Sequence, residues 1–233
     1  MTACIISPNV SKESAQQLAE VLGLNYYADR FNDLRMFDTV INYGSTHNFL
    51  YNKVINTPEA VQICKNKIST LKRLKDKCNT VIYTKEREVA NSWREKDLCV
   101  VAREFETQSQ NKGITFCLTK EKLDTAPAKF WTKYQYHTNE LRINVFKDKI
   151  ISVFDKQKQE DGTWKFAHLT VTGMHPDVKA MIQAIQENIK IDLYGMDVLV
   201  NKFGKHVLLE INSGAILHPE TEKPLSKLLK KEI

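Results

Sequence analysis

The sequence contains no GxxxxGK[ST] and no GxGxxG, which removes the two commonest glycine-loop solutions for holding a phosphate chain. Its five cysteines (Cys4, Cys64, Cys78, Cys99 and Cys117) are odd in number, widely spaced and never fall in a CxxC. That argues against a zinc or disulfide framework and for free thiols in a reducing compartment. No apolar run approaches the roughly 18 residues of a membrane-spanning helix. The opening MTACIISPNV has an apolar stretch but no basic leader, so it reads as a first strand rather than a signal peptide. Internal repeats and low-complexity linkers are missing too. The expectation is a soluble cytoplasmic protein whose lobes share interfaces and do not bind a membrane.

What is present is ordinary for a globular chain. In 233 residues, 42% are hydrophobic and 27% charged, enough for one large domain or two to three small lobes. The net charge of +6 raises the question of nucleic acid. Its densest runs, KNKISTLKRLKDK (65–77) and KPLSKLLKK (223–231), interleave Lys with Leu or Ile at helical spacing. The simpler reading is the solvated face of an amphipathic helix, with a basic groove for a phosphate-bearing ligand as the other.

The chain alternates strand and helix signals. TACIIS (2–7) reads as a strand, Ser11–Leu22 as a helix, and NYY (25–27) and DTVINYG (38–44) as short extended pieces, together a small open α/β lobe. INTPEAVQICKNKISTLKRLKD (55–76) reads as one helix, with Asn56 and Thr57 able to cap and Pro58 in the first turn. Strands follow at 80–85, 98–105 and 114–119, with a polar helical stretch after the first. LRINVFKDKIISVFDKQ (141–157) is a hairpin turning at KDK, and Pro176 opens a further helix. NYGSTHN (42–48) is either an ordinary turn or part of a pocket for a carboxylate or amide, and His168 and His175 read as packing or capping residues.

GMDVLVNKFGKHVLLEIN (195–212) is unusual: two apolar strands about an NKFG turn, each carrying a carboxylate. An unpaired ionised carboxylate is costly to bury, so something positive should face Asp197 and Glu210. If Val200 pairs near Lys205, Asp197 lies opposite Leu208 with Glu210 diagonal on the same face, and Asn212 shares that face. Three oxygen donors without His or Cys suit Mg²⁺ or Mn²⁺; ion pairing with lysines at a sheet edge is the alternative. Positive partners for a phosphate are at hand. Arg103 ends LCVVAR before a polar loop whose far end carries Lys112 and Gly113, Arg142 lies among apolar residues, and Lys156 closes the paired strand.

In this order the pieces resemble the ATP-grasp carboxylate–amine ligases, closest to the branch with the ribosomal-protein glutamate ligase and short phage-encoded ATP-grasp proteins. INTPEAVQICKNKISTLKRL is similar to that branch's Asn-x-Pro-Glu-Ala helix, CVVAREFETQSQNKGI to its strand and flexible loop, FWTKYQYHTNELRINVF to its hinge and arginine strand, and GMDVLV…VLLEIN to its metal-binding strands. The resemblance runs from about residue 55 to 213. It implies an α/β ATP-grasp fold with a pre-ATP-grasp lobe (1–54) and two sheet-containing lobes (55–129 and 130–233) clasping ATP. It also implies that Lys67, Arg103 and Arg142 face phosphates, beside the Lys156 that the residues themselves offer, with Arg103 and Arg142 catalytic, that the backbone of Trp131, Thr132, Lys133 and Tyr134 holds adenine, and that Asp197, Glu210 and Asn212 hold Mg²⁺. The implied activity joins a small-molecule or peptide carboxylate to an amine through an acylphosphate.

Three departures stand out. The loop holds one glycine, Gly113; SGAIL follows the last strand where the family often has Pro-Gly; and Ala167 and His168 occupy an Arg-Asn position that shapes the acceptor site in relatives. These departures leave a different acceptor, or weakened ligation, open. The competing reading is a basic, nucleic-acid-associated module on a nucleotide fold that no longer catalyses.

Overall fold

The computed structural model describes residues 2–107, 113–161, 163–170 and 173–233. Among them the first sheet is all parallel, in the order β2 (Asn25–Ala28), β1 (Ala3–Ser7), β3 (Thr39–Asn42), β4 (Lys53–Ile55). A parallel sheet must be covered on both faces. Ile5 and Ile41 therefore meet Ala15, Leu18 and Leu22 of α1 (Lys12–Leu22), while Cys4, Ile6 and Val40 meet Leu34, Phe37 and Phe49.

The expected single helix over 55–76 is two: α2 (Pro58–Lys65) and α3 (Lys67–Leu74). Asn66 takes an extended conformation between them (φ −99°, ψ 106°), and its side-chain oxygen accepts from the N–H of Ser69 at 2.8 Å. A capping side chain competes with helix continuation, and the amphipathic pattern is blind to that competition. Thr57 caps α2 through the Ala60 N–H. Asn56 does not cap. Buried and left-handed (φ 66°), it accepts from the N–H groups of Asp192 (2.9 Å) and Leu193 (2.8 Å) and donates to the carbonyls of Leu193 (2.7 Å) and Asn42 (3.3 Å).

The second sheet is antiparallel, ordered β5 (Tyr83–Thr84), β8 (Phe130–Lys133), β6 (Val100–Arg103), β7 (Ile114–Cys117). Helices α4 (Arg87–Arg94) and α5 (Lys120–Thr125) cover its outer face through Ala90 and Leu123, packed on Val100, Ala102, Cys117 and Trp131. The strand expected over 80–85 is divided between two sheets. The N–H of Val81 donates to Leu208 and Leu208 donates to Asn79, before the chain enters β5 at Tyr83.

The third sheet runs β11 (Trp164–Leu169), β10 (Lys149–Lys158), β9 (Asn139–Phe146), β12 (Leu193–Val200), β13 (His206–Asn212), every neighbour antiparallel. One face packs on α2, α3 and α6 (Pro176–Asn188), where Ile63, Leu74, Met181 and Ile185 meet Ile143, Tyr194, Met196, Val198, Leu208 and Ile211. The last helix, α7 (Pro219–Leu229), returns to the first sheet, burying Leu225 and Leu229 in the cluster that holds Ile5 and Leu18. Lys223, Lys227, Lys230 and Lys231 stay exposed around it, as do Lys72 and Lys75 around α3. The 223–231 run is thus the solvated face of an amphipathic helix, while the 65–77 run is divided: Lys72 and Lys75 are solvated and Lys67 turns inward to Glu210. Among the described residues no helix is long and apolar enough to cross a membrane.

Cys4, Cys64, Cys99 and Cys117 are buried and Cys78 half-buried, all as free thiols. Burial pushes Cys4 and Cys64 up to about 12 and Cys78 to about 11, so little thiolate exists near neutrality. At pH 8 the native protein is expected to take up less than one equivalent of iodoacetamide while the urea-unfolded chain takes up five. Rapid native labelling of Cys4 or Cys64 would contradict this packing.

Candidate functional site

The site is built where β9, β12 and β13 run side by side. On β12, Tyr194, Met196 and Val198 face the helices, so the alternate residues Asp197 and Leu199 face away from them toward β5–β8. The expected register placed Asp197 opposite Leu208. Instead Val198 pairs with Leu208 and Asp197 pairs with Glu210, the register slipping by one residue between Asp197 and Val198. This β-bulge puts both Leu209 and Glu210 on the cavity face, whereas strict alternation would send Glu210 into the helix-packed core. Asp197, Glu210 and Asn212 do share a face, but through the bulge rather than a diagonal.

Each carboxylate has a cation on it. Asp197 is fully buried and takes a two-pronged contact from Arg142, its direct neighbour across β9, through Nε and through Nη2 (3.1 Å). Lys156 Nζ lies 3.2 Å from the same carboxylate and also binds Glu140. Lys67, brought to the first turn of α3 by the Asn66 break, pairs with Glu210, and the Asn212 amide nitrogen lies 3.4 Å from Glu210. Burial alone would raise the Glu210 carboxyl; the Lys67 charge and hydrogen bond, with Arg142 and Lys156 beyond, outweigh it and hold the group down at about 2. The ion-pair alternative read from the sequence is thus realised in the same residues as the oxygen cluster.

These groups floor a cavity of about 380 Å³ roofed by β5–β8. Among the described residues five cationic side chains line it (Lys67, Arg103, Lys133, Lys156, Lys158) against three carboxylates (Glu140, Asp197, Glu210), a surplus of two positive charges. Among the described residues Lys67 and Lys156 are paired while Lys133, Lys158 and Arg103 are not, and of these three Arg103 is the guanidinium. Among the described residues it makes no salt bridge; its nearest polar partner is the Thr132 hydroxyl at 3.4 Å. Burial lowers its basicity while Glu210 and Glu140 oppose that. A half-buried guanidinium without a carboxylate is a ready anion receptor.

The structure brings Lys67, Arg103, Gly113, Thr132, Lys133, Tyr134, Lys156, Asp197 and Glu210 to this cavity. Arg142 sits behind Asp197, and Lys112 lies outside the described residues. The stretch expected to hold adenine lies at the cavity wall, with Thr132, Lys133 and Tyr134 lining it. FWTK is strand β8, held between β5 and β6, and the Trp131 ring is buried in that sheet's core. The N–H groups of Lys133 and Tyr134 donate to the carbonyls of Ile82 and Cys99 at 2.9 Å. Gln135, just past the strand, also lines the cavity.

Sequence reasoning missed Glu140, whose pairing with Lys156 fixes that ammonium, and Trp164, whose ring lies 4.4 Å from the same nitrogen. A glutamate two residues before Arg142 on the same strand face was the available signal. The 42–48 segment lines no part of this cavity. The Asn42 side chain closes its own turn with Ser45, and the Tyr43 hydroxyl donates to the Ala215 carbonyl.

A parallel-sheet lobe followed by two antiparallel sheets that enclose a charged cavity is the arrangement of the ATP-grasp fold. Solved structures carry the same arrangement over the whole chain. The ATP-grasp ligase PsnB complexed with a minimal precursor matches 100% of this chain and 99% of its own, at 12% identity and a TM-score of 0.72. D-alanyl-alanine synthetase A from Vibrio cholerae matches 99% and 96% of the two chains at 11% identity and 0.71. A RiPP-associated ATP-grasp ligase from Chryseobacterium gregarium, solved with ADP and a leader and core peptide, matches 100% and 98% at 15% identity and 0.68. At these identities the likeness defines the fold. No family model and no curated protein matches the sequence.

Proposed function

We propose that this protein is an ATP-dependent ligase joining a carboxylate to an amine, with the division into lobes 1–54, 55–129 and 130–233 as its working parts. The observation that supports this most is Arg103, a guanidinium without a carboxylate across one cavity from the directly paired Asp197 and Glu210. Ligases of this fold have been solved with Mg and ADP and with AMPPNP. The donor set of Asp197, Glu210 and Asn212 is all oxygen, which fits Mg²⁺ or Mn²⁺. When bound, the ion neutralises phosphate charge and orients the transferring group.

In this reading a substrate carboxylate oxygen attacks the γ-phosphorus, the bridging oxygen leaves with ADP, and an acylphosphate results. The amine then attacks the acyl carbon and phosphate departs. The protein supplies positioning and charge. Arg103 and Lys156 neutralise the phosphates, Lys67 turns from Glu210 to the nucleotide, and Gly113 lies at the cavity wall beside it. Arg142 holds Asp197 in place, a supporting part that differs from direct phosphate contact. The acid and the amine are small molecules or peptide groups; PsnB and the Chryseobacterium enzyme are complexed with peptides.

Thermal melts with and without Mg-ATP, on the native chain and on Glu210→Gln, test the reading. Nucleotide at about a hundred times its dissociation constant adds roughly 2.7 kcal/mol, or about 5–10 °C in a chain of this size. The native chain should show this shift and the variant should lose most of it. No shift at millimolar Mg-ATP in the native chain would sink the proposal.

A further inference from the structure

Outside the cavity one cluster combines two imidazoles with a carboxylate. His175 and Asp177 stand at the start of α6, and His206 opens β13. Among the described residues they are the one group of three His, Cys, Asp or Glu side chains whose potential ligand atoms all lie within 4.8 Å of one another. The two rings stack, with centroids 4.1 Å apart and planes at 30°.

The groups around the cluster leave donor atoms open. His206 Nδ1 bonds the Gly204 carbonyl at 2.9 Å, which makes Nδ1 the protonated nitrogen and leaves the Nε2 lone pair unspent. Asp177 Oδ2 accepts the backbone N–H of His206 at 3.0 Å, so the carboxylate is fixed while its other oxygen stays open. His175 Nδ1 carries a lone pair, because it accepts the Asp177 N–H at 3.2 Å, and it lies 3.9 Å from Asp177 Oδ2. A cation would exchange that long cap for coordination. A backbone carbonyl fixing one ring and a backbone N–H fixing the carboxylate are the outer partners typical of metal-ligating His and Asp.

We propose that His175, Asp177 and His206 form a second metal site, for a borderline transition ion such as Zn²⁺. Two imidazole nitrogens and one carboxylate oxygen match that class, whereas Mg²⁺ prefers an all-oxygen set. With three protein ligands, the remaining position belongs to water or an exogenous ligand. The site is separate from the cavity. His206 pairs with Val200, three residues along β12 from the Asp197–Glu210 pair, about 10 Å at strand spacing. An ion there ties the start of α6 to the turn between the two carboxylate-bearing strands. The inference stands on these residues alone and does not depend on the ligase reading.

The test is equilibrium dialysis of the native chain against ZnCl₂ in excess MgCl₂, with Co²⁺ spectra as a second readout. The expected result is one Zn²⁺ per chain, a Co²⁺ d–d spectrum without thiolate charge transfer, and loss of both in His206→Ala and in the exposed-site variant His175→Gln. Both variants should keep the native far-ultraviolet circular dichroism and the native response to Mg-ATP. Should one variant fold poorly, the other decides. Absence of stoichiometric Zn²⁺ in the native chain, retention of it in a folded variant, or a thiolate band in the Co²⁺ spectrum would each overturn the site.

Discussion

A chain with asparagine in place of Asp197 is expected to lose about 3–5 kcal/mol of stability as well as its response to Mg-ATP. Asp197 is fully buried and is the shared anion of Arg142 and Lys156. Neutralising it leaves two cations facing an amide, and breaking a buried ion cluster from one side costs in that range. At about 2–4 °C per kcal/mol the melting temperature should fall by roughly 10 °C. Glu210→Gln should be far milder, since Glu210 is partly open to solvent and pairs with Lys67 at the cavity edge. Replacing the buried pair together, Arg142→Met with Asp197→Leu, should recover part of the stability but none of the nucleotide response. Melts and urea titrations on the three variants check this. An Asp197→Asn chain as stable as the native one would mean that the buried charges do not depend on each other.

The second large effect is expected at Asn56. Its side chain makes four hydrogen bonds to backbone groups that are otherwise buried, joining the end of β3 and the start of α2 to the first residues of β12. Asn56→Ala strands two N–H groups and two carbonyls, and a non-additive sum of such losses comes to about 4 kcal/mol. Alanine at φ 66° adds about 1 kcal/mol of backbone strain that glycine escapes. Urea unfolding should therefore rank native above Asn56→Gly above Asn56→Ala. An alanine variant within 1 kcal/mol of native would remove Asn56 from this role.

Much of this architecture was legible where a pattern is long. The alternation of β9 and β10, the 3.6-residue pattern of α1 and α6, and two carboxylates in apolar strands announce themselves, because burial imposes period and buried charge demands a partner. Short or local decisions were not legible. Strand β8 is four residues long and shows no usable alternation, and the break at Asn66 interrupts a helix whose apolar face continues past it. The bulge beside Asp197 changes the register by one residue, yet nothing in VLLEIN differs from a regular strand. Asn56 read as a cap because asparagine before a proline-led helix usually is one; its long-range hydrogen bonds depend on residues more than 130 positions away.

The path of the chain between the sheets has a mechanical consequence. It leaves the five-stranded body after the Thr80–Leu208 bridge, builds the whole roof, and comes back into β9 through 134–138. Outgoing and returning strands pass side by side, joined by the bond from the Lys133 N–H to the Ile82 carbonyl. In topology the roof is an insertion, joined to the body at these strands and again where the Lys67 N–H and the Asn66 amide donate to Glu106. Bending at the paired strands would break the two Glu106 bonds and none of the ion pairs of the Asp197–Arg142–Lys156 floor, all of which lie within the body. A ligand entering by that route would meet the floor with its charges still paired.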